Sequence, residues 1–142
     1  MDVLKLVKEA SEKGYEAFYN KKAELAGSPA RWAVQQHKDV LDDNSEVVKS
    51  WELRELCGFV WLNLKGNQKF VREFKKLAKK TGNNSYELGG VCLSKSSYYG
   101  GFSLYADNIS GQGIESKSAG YQALQDVLYK NGVECSFYSR LD

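Results

Sequence analysis

Apolar side chains along the first 26 residues fall mostly three and four positions apart. Val3, Leu4, Val7, Ala10, Tyr15, Phe18, Tyr19 and Leu25 make up the series, which predicts one amphipathic helix over residues 3–26. Gly14 weakens its middle, and Gly27-Ser28-Pro29 stops it. Ser28 as N-cap with Pro29 at the first helical position predicts a second helix reaching about Leu41. The polar run Asp42-Asp43-Asn44-Ser45 ends it and offers caps for a third. Over residues 46–64, Val47, Val48, Trp51, Leu56, Phe59, Val60 and Leu64 form a broad apolar face, with Trp51 and Trp61 bulky enough to anchor helix–helix contacts. Gly66-Asn67 is the next break.

A fourth helix is expected over residues 68–81, with Gly82 as C-cap. Phe70, Phe74 and Leu77 lie on one side of it, and Lys69, Arg72, Lys76, Lys79 and Lys80 on the opposite arc. Strand formers then take over. Residues 86–94 (YELGGVCLS) read as a strand in which the Gly89-Gly90 pair marks a bulge or a close backbone approach. SSYYGG (96–101) is a turn-like connector. Phe102 to Asp107 alternates cleanly, and a turn at Asp107-Asn108 leads into a third extended segment, Ile109 to Glu115. Ala119, Ala123, Leu124, Val127 and Leu128 stripe a helix over 116–130, capped by Asn131-Gly132, and Val133 to Tyr138 reads as a last strand. The expectation is an α+β protein: a helical region over residues 1–66, then an α-β-β-β-α domain over 67–142 with an extra C-terminal strand.

Composition narrows the function classes. The chain has 142 residues, 42% of them apolar, with 3 Trp, 9 Tyr and 6 Phe, enough to fill a core and too many for a disordered chain. No stretch has the length and apolarity of a membrane span. Charges recur every few residues at the N-terminus, where a signal peptide would be unbroken and apolar, so a cytoplasmic location is expected and no membrane partner. Cys57, Cys92 and Cys135 are odd in number, widely spaced and set among apolar neighbours, which points to buried thiols rather than disulfides or zinc ligands. The single histidine, His37, falls in a polar stretch and is expected at the surface. No Ser/His/Asp grouping and no phosphate-cradling glycine loop is present, so no catalytic residue, metal or cofactor is assigned.

The net charge of +2 matters less than its distribution. Residues 1–66 hold 10 basic against 11 acidic side chains, and residues 67–142 hold 10 against 7. Within 65–80, seven cations (Lys65, Lys69, Arg72, Lys75, Lys76, Lys79 and Lys80) face only Glu73. A one-sided basic helix is the footprint of a polyanion partner.

One segment carries a family resemblance. Residues 111–128, GQGIESKSAGYQALQDVL, have Gly111 and Gly113 in a turn, Lys117 near a helix start, and Ala119 and Ala123 as small packing residues. With Lys80-Thr81-Gly82 and Tyr86-Glu87-Leu88 upstream, this resembles the C-terminal signature of double-stranded RNA-binding domains, over about residues 67–131. The resemblance implies that Lys69, Arg72 and Lys76, with Lys79 and Lys80, meet RNA grooves and phosphates. Lys95 would sit in the connecting loop, and Ser116 and Lys117 would offer donors at a helix N-terminus. Two of the family's three basic helix-start positions are Ser116 and Gly120 here, and Glu115 adds a negative charge. The leading expectation is a non-enzymatic binder of duplex RNA. One alternative is a protein-interaction module, for which Tyr98, Tyr99, Trp32 and Trp51 are interface-type aromatics. A second alternative is a divalent-metal nuclease using Asp107, Glu115 and Lys117 in a D…ExK pattern.

Overall fold

Residues 3–26 form one helix, α1 (Val3–Ala26), opened by Asp2, whose carboxylate accepts the Lys5 amide at 3.1 Å. The structure is a computed structural model and describes residues 1–97 and 99–142; Tyr98, named above, lies outside them. Gly14 is a tightly packed position rather than a weak spot. A Cβ there would stand 2.9 Å from Ile109 Cδ1 and 3.1 Å from the Gly120 carbonyl.

The second and third expected helices are strands. Ser28 does not open a helix: its hydroxyl donates to the Glu24 carbonyl at 2.8 Å and finishes α1, and Pro29 follows a C-cap as a helix stop. Residues 32–53 then make a hairpin of β1 (Trp32–His37) and β2 (Val47–Leu53), its tip held by turns through Asp39, Asp42 and Ser45. His37 sits at the bulge of this hairpin, half-buried, with Nδ1 3.0 Å from the Ser45 carbonyl. Trp51 is an exposed hairpin residue and anchors no helix pair. The following segment is strand β3 (Gly58–Leu64), so residues 28–64 correct the expected helical region.

The basic helix is shorter than expected. α2 (Lys69–Leu77) ends at Ala78, and Lys79 and Lys80 belong to an edge strand, β4 (Lys79–Gly82). The strand expected over 86–94 is two, β5 (Ser85–Leu88) and β6 (Val91–Lys95), because Gly89 and Gly90 take φ of +59° and +80° and turn the chain back in a two-residue hairpin. β7 (Phe102–Ala106) matches its expected place. Residues 109–113 are a loop with a buried Ile109, not a third extended strand. They lead into α3 (Ile114–Lys130), and β8 (Cys135–Leu141) closes the chain. Among the described residues four strands therefore separate α2 from α3, where the RNA-binding resemblance implied three.

The molecule is α+β; the described residues form three helices and two antiparallel sheets, the β1–β2 hairpin and a six-stranded sheet of order β4-β5-β6-β7-β3-β8. β3 lies between β7 and β8, pairing Leu62 with Leu104 and Trp61 with Tyr138. All three helices contribute to the core over one sheet face, where Val3, Val7, Phe70, Phe74, Leu124 and Leu128 meet Leu62, Leu64, Leu93 and Leu104. Burying such side chains stabilises by roughly 1.5–3 kcal/mol each. Among the described residues no helix is long and apolar enough to cross a membrane. The three cysteines are free; Cys135 is buried, and Cys57 and Cys92 are half-buried.

Candidate functional site

Side chains alternate along β3: Val60, Leu62 and Leu64 enter the core, while Phe59, Trp61 and Asn63 face away from the helices. Cross-strand pairing fixes their neighbours. Trp61 lies beside Tyr138 with ring centroids 5.8 Å apart and planes nearly parallel, and Phe59 lies beside Arg140, whose guanidinium stands 5.2 Å over its ring. Tyr99, from the loop after β6, stacks on Tyr138 at 4.6 Å. Tyr105 faces the same way from β7 and remains exposed. The uncovered face of the β-sheet thus carries a cluster of three rings in mutual contact, Trp61, Tyr99 and Tyr138, with Phe59 and Tyr105 on the same face.

Beside these rings the sheet opens. β3 and β7 pair only from Leu62 to Leu64, and below that point the strands part. Two side chains one turn apart on α3 satisfy the lips of the gap. Lys117 donates its ammonium to the Gly58 carbonyl on the β3 side, and Tyr121 Oη accepts the Ala106 amide on the β7 side at 2.9 Å. Burial pushes the Tyr121 phenol up to about 12, with the Ala106 hydrogen bond acting the other way. The opening joins the aromatic face in a trough of about 710 Å³. Lys95, Lys117 and Arg140 line this trough, serines at 94, 96, 97, 103, 110 and 139 supply hydroxyls, and among the described residues no carboxylate lines it.

The residues expected to hold duplex RNA are dispersed. Lys69, Arg72 and Lys76 are exposed on α2, with Lys76 3.6 Å from Glu73. Lys79 and Lys80 lie on the edge strand β4, where lysines also deter edge-to-edge pairing. Ser116 is buried, and both its amide (3.0 Å) and its hydroxyl (2.9 Å) donate to the Glu55 carboxylate. An internal anion therefore fills the α3 N-terminus, the place where the helix dipole would favour a phosphate. Lys117 is buried at the gap. α3 begins beside the first residue of β3, whereas α2 follows its last. A seven-residue strand separates the two starts by about 20 Å. β4 stands four strand spacings from β3, about 19 Å. Of the eight expected contact residues, the trough gathers Lys95 and Lys117.

The D…ExK set is not gathered either. Glu115 pairs with Arg31, whose guanidinium pKa it raises through their hydrogen bond, and Asp107 is an exposed residue at the end of β7. Among the described residues no three His, Cys, Asp or Glu side chains stand close enough to share a metal ion. The residues that sequence reasoning passed over are Phe59, Trp61, Tyr105, Tyr138 and Arg140. Their signal was the two-residue period of Phe59, Trp61 and Asn63, hidden by apolar residues at the alternate positions.

Fold and site together define an α+β protein with helices on one face of an antiparallel sheet and an aromatic, cationic trough on the other. Comparison with protein-family models, with curated proteins and with solved structures finds no match.

Proposed function

We propose that this protein is a non-enzymatic nucleic-acid binder that receives single-stranded bases on the open face of its sheet. The observation that carries this is the trough lining: stacked rings of Trp61, Tyr99 and Tyr138 beside Lys95, Lys117 and Arg140, without a carboxylate. Planar bases stack on exposed rings irrespective of sequence, and cations beside them track the phosphates. Serine hydroxyls add donors and acceptors for base edges.

Duplex RNA is the less favoured nucleic acid. A rigid duplex needs two phosphate-contacting places on one surface, while Ser116 is committed to Glu55 and the α2 lysines start at the other end of β3. The test is a fluorescence titration with single-stranded and duplex oligonucleotides at two salt concentrations. Expected are quenching of tryptophan emission by the single strand, weaker binding at higher salt, and a loss of about tenfold or more in Trp61→Ala. Single-strand affinity that Trp61→Ala leaves unchanged overturns the reading.

A protein-interaction role is the second reading, and the β1–β2 hairpin favours it. Trp32, Val34, Trp51 and Leu53 share one hairpin face, and Trp32, Val34 and Trp51 are exposed. That role predicts a concentration-dependent association, measured by sedimentation velocity, which Trp32→Ser with Trp51→Ser abolishes while oligonucleotide affinity stays constant.

A further inference from the structure

The gap between β3 and β7 has a chemical property that base stacking does not use. Lys117 is about nine-tenths buried, yet no carboxylate pairs with it. Its ammonium meets the Gly58 carbonyl and stands 5.8 Å from the Phe59 ring. An ammonium has three donors, so two remain after Gly58 is served. A buried cation without an anionic partner is costly and is ordinarily compensated by one. Arg140 approaches the same Phe59 ring and adds a second positive charge at the trough surface. Neither cation takes part in a salt bridge among the described residues. Two cations of different depth converge on one ring, at the end of the stacking row.

We propose that this gap is a socket for the terminal phosphate of a bound nucleotide chain. The inference rests on the single-strand reading above and names the part of the ligand that the gap takes. Depth selects the end of a chain. A phosphodiester within a strand carries a sugar on each side, and both sugars must stay on the aromatic surface, whereas a terminal phosphate can reach below it. Charge agrees: a phosphomonoester carries about −1.5 to −2 near neutral pH, against one negative charge for a diester, and Lys117 with Arg140 matches the larger value. The stacked row of Tyr138 and Trp61 then receives the bases that follow.

The experiment compares three hexauridylates, one 5′-phosphorylated, one 3′-phosphorylated and one without a terminal phosphate, by fluorescence anisotropy against the full chain. One phosphorylated form is expected to bind about tenfold or more tightly than the unphosphorylated one, and its identity gives the polarity of the strand. Lys117→Met, which keeps the aliphatic stem in the gap, removes that preference, so that the phosphorylated and unphosphorylated oligomers bind it with equal affinity. Arg140→Gln, at an exposed position, narrows the preference without touching the fold, and serves on its own should Lys117→Met fail to fold by circular dichroism. Equal binding of all three oligomers to the unaltered protein, with Trp61→Ala still weakening it, overturns the socket and leaves the stacking face standing. A preference that survives both substitutions also overturns it. Absence of binding by any oligomer removes both proposals.

Discussion

Val60, Leu62 and Leu64 alternate along β3 with Phe59, Trp61 and Asn63, so one strand supplies both faces of the sheet. On the covered face aliphatic side chains are packed to near-zero exposure under three helices, and their chemistry is that of any core. On the open face Phe59 remains 47% exposed, and its neighbours are rings, serines and cations. An antiparallel sheet solvated on one side ordinarily turns polar residues outward there. The difference between the faces teaches that core packing accounts for the first pattern and not for the second, which is the one the proposed binding role draws on.

The largest effect belongs to the covered face. Leu62→Ala, at a position with no exposure, is expected to cost about 2–5 kcal/mol in urea unfolding, while binding measured on the folded fraction stays unchanged. Trp61→Ala, one residue away on the other face, reverses this. Loss of its stacking on Tyr138 costs roughly 1 kcal/mol or less in stability, but base binding falls by about 1–3 kcal/mol. Equal stability losses for the two would collapse the distinction between the faces.

Glu55→Ala sharpens the comparison at the α3 N-terminus. It strips both acceptors from buried Ser116 and is expected to lower stability by about 0.5–2 kcal/mol, read from the thermal midpoint. Single-strand affinity should stay as it was, since Glu55 does not line the trough.

A separate effect comes at high pH. Burial raises Cys135 from 9.0 and Tyr121 from 10.0 to about 12 each, so folding favours the protonated forms. The unfolded chain releases these protons first; it binds fewer protons than the native state between about pH 9 and 12, and stability falls as pH rises through that window. Their contribution is complete below pH 9. Urea midpoints measured from pH 8 to 11 should decline, and Cys135→Ala with Tyr121→Phe should flatten the slope. A slope that the double variant leaves as steep assigns the decline to other groups.

Legibility in the sequence followed the same division between faces. Phe102–Ala106 was recognisable because Ser103 and Tyr105 break its apolar period, and α1 and α3 because their stripes run for several turns beside polar residues. β3 was read as helix because its open face is aromatic: Phe59 and Trp61 erase the polar half of the alternation that identifies a strand. The residues that make the candidate site are therefore those that disguised the element carrying it, a conflict between local pattern and fold of the kind expected at functional positions. Ser28-Pro29 is ambiguous for another reason, since that dipeptide can leave a helix as readily as enter one, and only the bond from Ser28 Oγ to Glu24 decides. The trough itself was beyond sequence reading, because it depends on where β3 parts from β7.

The position of β3 in the sheet has a consequence for how the chain folds. β4 to β7 are joined in sequence and can zip as successive hairpins, but β3 finds its partners only at residues 102–106 and 135–141. Contacts so distant along the chain make for slow assembly, on the millisecond-to-second scale. During that interval Phe59, Val60, Trp61 and Leu62 form an unpaired, nearly uncharged ribbon, and the stretch from 58 to 64 is where refolding at high concentration should lose material to aggregates.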